Sequence, residues 1–212
     1  MNLWLSSCLL VALLFLSSSA LTPEECRPVL APLSLDEPSV IHGRWNFLLG
    51  YTDYPVFSEI LQLTESSWIN VASSSGAKDM VMSQENRING SCTASTSSLT
   101  IDGNTLTASV ANFTSVFHLL PTCDSCLVMS INTSGKAFDK FLEKLKFHSD
   151  NTEDVVHARS LYLMSRESTL KDSDLEHFKQ QASCLGFTGE LNFHYDPKND
   201  FCAEGEGVKL FP

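Results

Sequence analysis

Cys123-x-x-Cys126 is the tightest pairing of chemically active side chains in the sequence. Two thiols at that spacing make a redox dithiol, half of a four-cysteine zinc site, or a local structural bridge. A redox pair belongs in a thioredoxin-like βαβ setting, and the flanking sequence has no such pattern. A zinc site would need a second Cys-x-x-Cys, and none follows. The structural bridge is therefore the preferred reading. His42, His118, His148, His157, His177 and His194 are scattered without metal-ligand spacing. No Gly-x-Ser-x-Gly elbow, phosphate loop or catalytic triad is present. No metal, cofactor or catalytic residue is expected, and the chain reads as a binding protein, not an enzyme.

The compartment follows from the amino terminus and the cysteine count. Residues 9–16 are an apolar core followed by Ser17, Ser18, Ser19 and Ala20, the pattern of a signal peptide over residues 1–20. That run is too short to span a bilayer. Residues 21–204 then form one domain, and 205–212, poor in apolar residues, read as a flexible tail. Cys26, Cys92, Cys123, Cys126, Cys184 and Cys202 remain after removal of Cys8. An even set behind a signal peptide points to three disulfides in an extracellular fluid such as plasma. Three sequons, at Asn89, Asn112 and Asn132, point to a glycoprotein. The formal net charge of −11 argues against a nucleic-acid partner, whose phosphates call for Lys and Arg.

These groups must be positioned by strands. Residues 45–53 alternate, placing Trp45, Phe47, Leu49 and Tyr51 on one face. Strand formers recur over 60–71, 80–88, 92–101, 105–110, 116–120, 127–131 and 158–164, giving eight strands. Asn89-Gly90 and Asp102-Gly103 suit tight hairpins because both residue types tolerate positive φ. Short links favour antiparallel neighbours, and eight such strands can close into an up-and-down barrel without exposed edges. Two helices are expected. One covers 173–184, opened by a capping box Ser173-x-x-Glu176 and striped by Leu175, Phe178 and Ala182. The other lies within 133–155, where Phe138, Phe141, Leu142 and Leu145 share a face over about three turns.

Gly43-Arg44-Trp45, at the start of the first strand, resembles the Gly-x-Trp motif of lipocalins. Leu161-Tyr162-Leu163-Met164-Ser165-Arg166, leading from the eighth strand into the capped helix, is similar to a second lipocalin motif. The cysteine intervals and the segment from Cys184-Leu185-Gly186-Phe187 to Asp200-Phe201-Cys202 resemble the alpha-1-acid glycoprotein (orosomucoid) branch of that family. The region 117–132 resembles the apolipoprotein M branch, and the general style is similar to toxin-sequestering fish lipocalins. The resemblance spans residues 26–202. It implies an all-β, eight-stranded antiparallel lipocalin barrel with a C-terminal helix packed on it. It also implies bridges Cys26–Cys184 and Cys92–Cys202, beside Cys123–Cys126. Arg166 would cover Trp45 at the closed end, a cation–π pair worth on the order of 1–2 kcal/mol when desolvated. The sequence departs from the family between the sixth and seventh strands, where Thr122-Cys123-Asp124-Ser125-Cys126 replaces a Thr-Asp-x-x-Tyr-like motif. Ile41 stands where an Asn is usual.

The lipocalin resemblance implies a monomeric carrier or scavenger of a small hydrophobic or amphipathic ligand such as a lipid, steroid, drug or toxin, with an acute-phase style of biology. Phe47, Leu49, Tyr51, Trp68, Phe117, Leu119, Met129 and Tyr162 either line its cavity or fill an ordinary core; alternation alone does not choose. Arg87 and Arg159 either orient a polar ligand group or are solvated. Because links alternate between barrel ends, the 133–155 segment falls at the open mouth. Its helix is either a lid or packed on the outer wall. Two other functions compete: a receptor-binding immunomodulator, and a prostaglandin isomerase with a cavity thiol. The isomerase requires an unpaired cysteine. Thiol titration of the unfolded secreted chain is expected to find none, and one free thiol would revive that mechanism.

Overall fold

The computed structural model describes residues 21–74, 79–136, 138–145, 147 and 155–210, with the side chains of 79, 138 and 141 left aside. Residues 1–20, expected to be a signal peptide, lie outside the described residues, as do 75–78, 137, 146, 148–154 and 211–212.

Helix α1 (Pro23–Leu30) opens with Pro at its first turn. Its Thr22 hydroxyl accepts from the Glu25 amide at 3.3 Å, and the Glu25 carboxylate accepts from the Thr22 amide at 2.8 Å. The Thr22 amide and hydroxyl, both donating to the Glu25 carboxylate, lower its pKa. A short 3-10 turn (Pro38–Ile41) leads into β1 (Gly43–Thr52). Then come α2 (Pro55–Leu63), β2 (Thr64–Ser73), β3 (Asp79–Ile88), β4 (Ser91–Asp102), β5 (Thr105–Val110), β6 (Phe113–Leu120) and β7 (Cys126–Lys136). Helix α3 (Phe138–Lys144), β8 (Val155–Ser165), α4 (Asp172–Cys184), β9 (Phe193–His194) and β10 (Val208–Lys209) complete the chain.

Each of β1–β8 pairs antiparallel with its sequence neighbour, and β8 returns to pair with β1. The result is a closed eight-stranded up-and-down barrel. The β3–β4 hairpin turns on Asn89 and Gly90, at φ 47° and 74°. The β4–β5 loop is Gly103-Asn104, one residue later than Asp102-Gly103, with Asp102 still paired to Thr105. Only Gly103, at φ 58°, takes positive φ there, which suits a type II′ turn.

Several expectations are corrected. Residues 60–63, expected to open a strand, end a helix instead: Pro55 sets the first turn of α2, Val56 and Leu61 are buried, and β2 begins only at Thr64. The Ser173 capping box does not form, because α4 starts one residue earlier, at Asp172 after Lys171, with no side-chain cap. Helix α3 is two turns long, since β7 runs on to Lys136. The tail has fixed partners. Val208–Lys209 pairs parallel with Thr93–Ala94 of β4, where β4 runs past the end of β5. The buried Glu85 carboxylate accepts from the Gly205 and Gly207 amides, each at 2.9 Å.

Helix α4 packs on the outside, where Phe178 stacks on Tyr51. The Gln181 side-chain amide donates to the carbonyls of Val29 and Pro121, tying α4 to α1 and to the β6–β7 link. Bridges Cys26–Cys184 and Cys92–Cys202 close 158- and 110-residue separations, and Cys123–Cys126 clamps the β6–β7 turn. On the chain-entropy account each long bridge stabilises by at most roughly 5 kcal/mol, the short one by about 2. No helix among the described residues is long and apolar enough to cross a membrane.

At the closed end the Arg166 guanidinium carbon lies 3.5 Å from the Trp45 ring centroid. Arg166 also donates to the carbonyls of Arg44 and His42, at 2.7 and 2.5 Å. The Trp45 indole N–H donates to the Ile41 carbonyl at 2.9 Å. Gly43 sits at φ 84°, and a β-carbon there would come 3.0 Å from an Arg166 nitrogen. Gly43→Ala is therefore expected to destabilise the fold by about 1–3 kcal/mol. Arg166→Ala should cost a similar amount, with the two losses less than additive because they share one contact. Denaturant midpoints of the singles and the double check this; strict additivity would contradict it.

Candidate functional site

The eight strands enclose a cavity of about 300 Å³ that opens toward the α2 and α3 end of the barrel. Its lower wall is apolar: Phe47, Ile69, Met82, Phe117, Met129 and Met164. Trp45, Ile41 and Leu119 fill the barrel below. Helix α2 contributes Phe57, Ile60 and Leu61 at the mouth, and Leu145 approaches from the segment after α3. Tyr54, Val56, Leu142, Val156 and Ala158 form a second small core that packs this lid onto the barrel rim. The lid is therefore built chiefly from the β1–β2 connection, with α3 as its neighbour. Pro55 and the apolar positions 56, 57, 60, 61 and 63, at helical spacing, were the available signal. The side chains of Phe138 and Phe141, assigned to the lid from sequence, lie outside the described residues.

Of the residues expected in the cavity, Phe47, Phe117, Met129 and Tyr162 line it. The others are placed elsewhere. A bulge in β1 between Phe47 and Leu49 inserts one extra residue against β8. A single inserted residue reverses the alternation beyond it. Phe47 points in, but Leu49 and Tyr51 point out, and Tyr51 stacks between Phe178 and Phe187. Gly50 takes the inward position, where a β-carbon would come 2.6 Å from the Phe47 ring. Trp68 is buried on the outer face of β2, its indole donating to the Cys202 carbonyl at 2.8 Å beneath the Arg44 guanidinium. Arg87 also faces out and donates to the Asp200 carbonyl at 3.1 Å. Arg159 pairs with Asp53 at 2.7 Å outside the barrel. Leu119 faces inward but is packed into the floor below the cavity.

Sequence reasoning missed the polar lining. Ser67 of β2, Gln84 and Asn86 of β3, and Ser95 and Ser97 of β4 form a strip in the upper wall. The Asn86 carbonyl oxygen accepts from the Ser67 hydroxyl at 2.7 Å and from the Gln84 amide at 2.9 Å. Period-two alternation carried this signal once the inward phase of β3 was known: Met80, Met82, Gln84, Asn86 and Ile88 share a face. On the opposite wall Ser115 and Thr133 bond each other at 2.8 Å, and Ser160 donates to Thr52 at 3.1 Å. The three sequon asparagines are exposed, Asn89 and Asn112 in turns at the open end and Asn132 on the outer face of β7.

No protein-family model matches the chain, and no curated protein matches it in sequence. Solved structures do match. Siderocalin Q83, whose structure reveals a dual ligand binding mode, superposes with TM-score 0.57 at 15% identity, over 80% of this chain and 96% of that one. Siderocalin Ex-FABP, described as functioning through dual ligand specificities, gives 0.55 at 14% identity, over 74% and 95%. Odorant binding protein OBP1 gives 0.50 at 10% identity, over 71% and 86%. At these identities the likeness establishes the fold, and the fold is that of the lipocalins.

Desolvation raises the Tyr162 phenol above its usual 10.0, partly offset by a hydrogen bond with Ser160. Burial likewise raises Tyr51 and Tyr195. A raised folded-state pKa means the native state holds these protons longer than the unfolded chain. Their contribution is intact below about pH 10 and is lost as pH climbs through the folded values. Ultraviolet titration should show three tyrosines ionising late, with stability falling above about pH 10. Tyrosines that all ionise normally in the folded state would contradict the burial argument.

Proposed function

We propose that this chain is a secreted, monomeric, glycosylated carrier or scavenger of a small hydrophobic or amphipathic molecule. We place it in the lipocalin family beside the orosomucoid and apolipoprotein M branch. The observation that carries the function is the cavity: a closed barrel with a plugged floor, an apolar lower wall and a helical lid. An enclosed apolar surface binds by removing ligand area from water, at about 25 cal/mol per Å². A ligand burying about 300 Å² gains roughly 7 kcal/mol gross, less the cost of immobilising it. The names of the matched structures, two siderocalins and an odorant binding protein, support small-molecule binding. The Cys26–Cys184 and Cys92–Cys202 bridges support the orosomucoid-like placement. Secretion is supported by three bridges and exposed sequons. No cysteine is among the described lining residues, which favours binding over thiol-dependent isomerisation.

Met129 borders both the main cavity and the small void beneath it. Met129→Trp should fill the space and abolish binding of an uncharged polarity-sensitive fluorophore while the protein stays folded by circular dichroism. Native mass spectrometry of the secreted protein should show a bound small molecule. A wild-type protein that binds no probe and carries no guest would defeat the carrier proposal.

A further inference from the structure

We infer that the cavity selects an uncharged ligand, which sets a hydroxyl, carbonyl or amide group against Gln84 and Asn86 near the mouth and an apolar body against Met82, Phe117 and Met129 below. This rests on the proposal that the barrel is a carrier.

The first ground is the absence of charge. Among the described residues lining the cavity there is no Asp, Glu, Lys, Arg or His, and Tyr162, held neutral by burial, is the one ionisable group. Three arginines of the lining strands are committed on the outer surface, Arg44 to the Trp68 face, Arg87 to the Asp200 carbonyl and Arg159 to Asp53, and Lys136, at the mouth end of β7, is exposed to solvent. A carboxylate or ammonium drawn into this cavity would lose its hydration and meet no counter-charge, and an unpaired buried ion is far more costly than a hydrogen-bonded neutral group.

The second ground is which polar groups remain open. On the β6–β8 wall Ser115 and Thr133 bond each other and Ser160 donates to Thr52, which leaves one hydroxyl proton of the first pair unspent. On β3 the two amides share a single bond, with the Asn86 carbonyl oxygen taken by Ser67 and Gln84. That leaves the Gln84 carbonyl as an acceptor and the Asn86 amino group as a donor, side by side on one face. Ser95 stands directly across from Gln84 in the β3–β4 register. A guest with one hydroxyl or carbonyl satisfies this edge. A pure hydrocarbon would bury it unpaired, which costs more than never having had it.

The third ground is direction. Gln84 and Asn86 lie toward the Asn89-Gly90 turn at the open end, and Met82 and Met80 lie toward the floor. Polarity therefore falls from mouth to base, matching a ligand that enters tail first.

Three chains of equal length test this: dodecanol, dodecanoate and dodecylammonium, each displacing an uncharged fluorophore from the intact secreted protein near neutral pH. Dodecanol should bind at least about tenfold tighter than either ion. Asn86→Leu should weaken dodecanol by about tenfold, the worth of one lost hydrogen bond, and leave the fluorophore unaffected. Asn86→Asp should shift preference toward dodecylammonium, a gain that misfolding cannot imitate. Equal or tighter binding of either ion by the unaltered protein overturns the inference, as does an Asn86→Leu protein that binds dodecanol normally. If neither fluorophore nor any chain binds, the carrier proposal falls and takes the inference with it.

Discussion

The return of β8 onto β1 is the constraint from which the rest of the structure follows. Closing the sheet removes both edges and forces one face of every strand inward around a shared axis. The pairing is not uniform. Leu49 to Thr52 oppose Leu163 to Ser160 only after a one-residue slip, and that slip turns Tyr51 outward. The outward-facing ring, itself buried, then becomes the platform on which Phe178 docks α4. One irregularity in the closing seam thus serves two layers: it leaves Gly50 inward beneath the Phe47 ring and gives the outer helix something to grip.

The two ends of the barrel are finished differently, and the cavity is the consequence. At the base, Trp45, Arg166 and the carbonyls of Ile41, His42 and Arg44 satisfy one another, with the indole buried and the guanidinium lying over it at the surface. At the mouth the packing among the described residues is largely apolar. Closure there depends on α2, held by a separate cluster of apolar residues. Elements that open in ligand exchange are drawn from such locally packed units, because releasing them leaves the main core intact.

Outside the barrel, the chain after α4 wraps β1–β4; Phe193 of β9 turns inward to stack on Phe47, and Leu210 reaches the cavity wall. Trp68, Arg87 and Glu85 are spent on holding this wrap, through the carbonyls of Cys202 and Asp200 and the amides of Gly205 and Gly207. Gly207 is required there by proximity: a β-carbon would fall 2.4 Å from the Glu85 carboxylate. Charged and aromatic residues that look like ligand contacts in a list are in this molecule the fastenings of a strap.

The local signals were legible in the sequence: the eight strand segments, the Asn89-Gly90 hairpin, the apolar face of α4 and the even set of cysteines. Each depends on neighbours a few residues apart, so composition and period suffice to find it. The α2 lid and the Thr22–Glu25 capping box were equally local and went unread, while Ser173-x-x-Glu176 carried the same pattern without forming the cap. What the sequence could not decide was the facing of side chains across the seam. A single bulge inverts every residue beyond it, and whether a bulge occurs depends on how β1 fits β8, more than a hundred residues away. Leu49 and Tyr51 belong to outer layers for that reason, whereas the β1–β2 and β2–β3 registers place Trp68 outside and turn Gln84 and Asn86, unremarkable in a linear reading, toward the cavity.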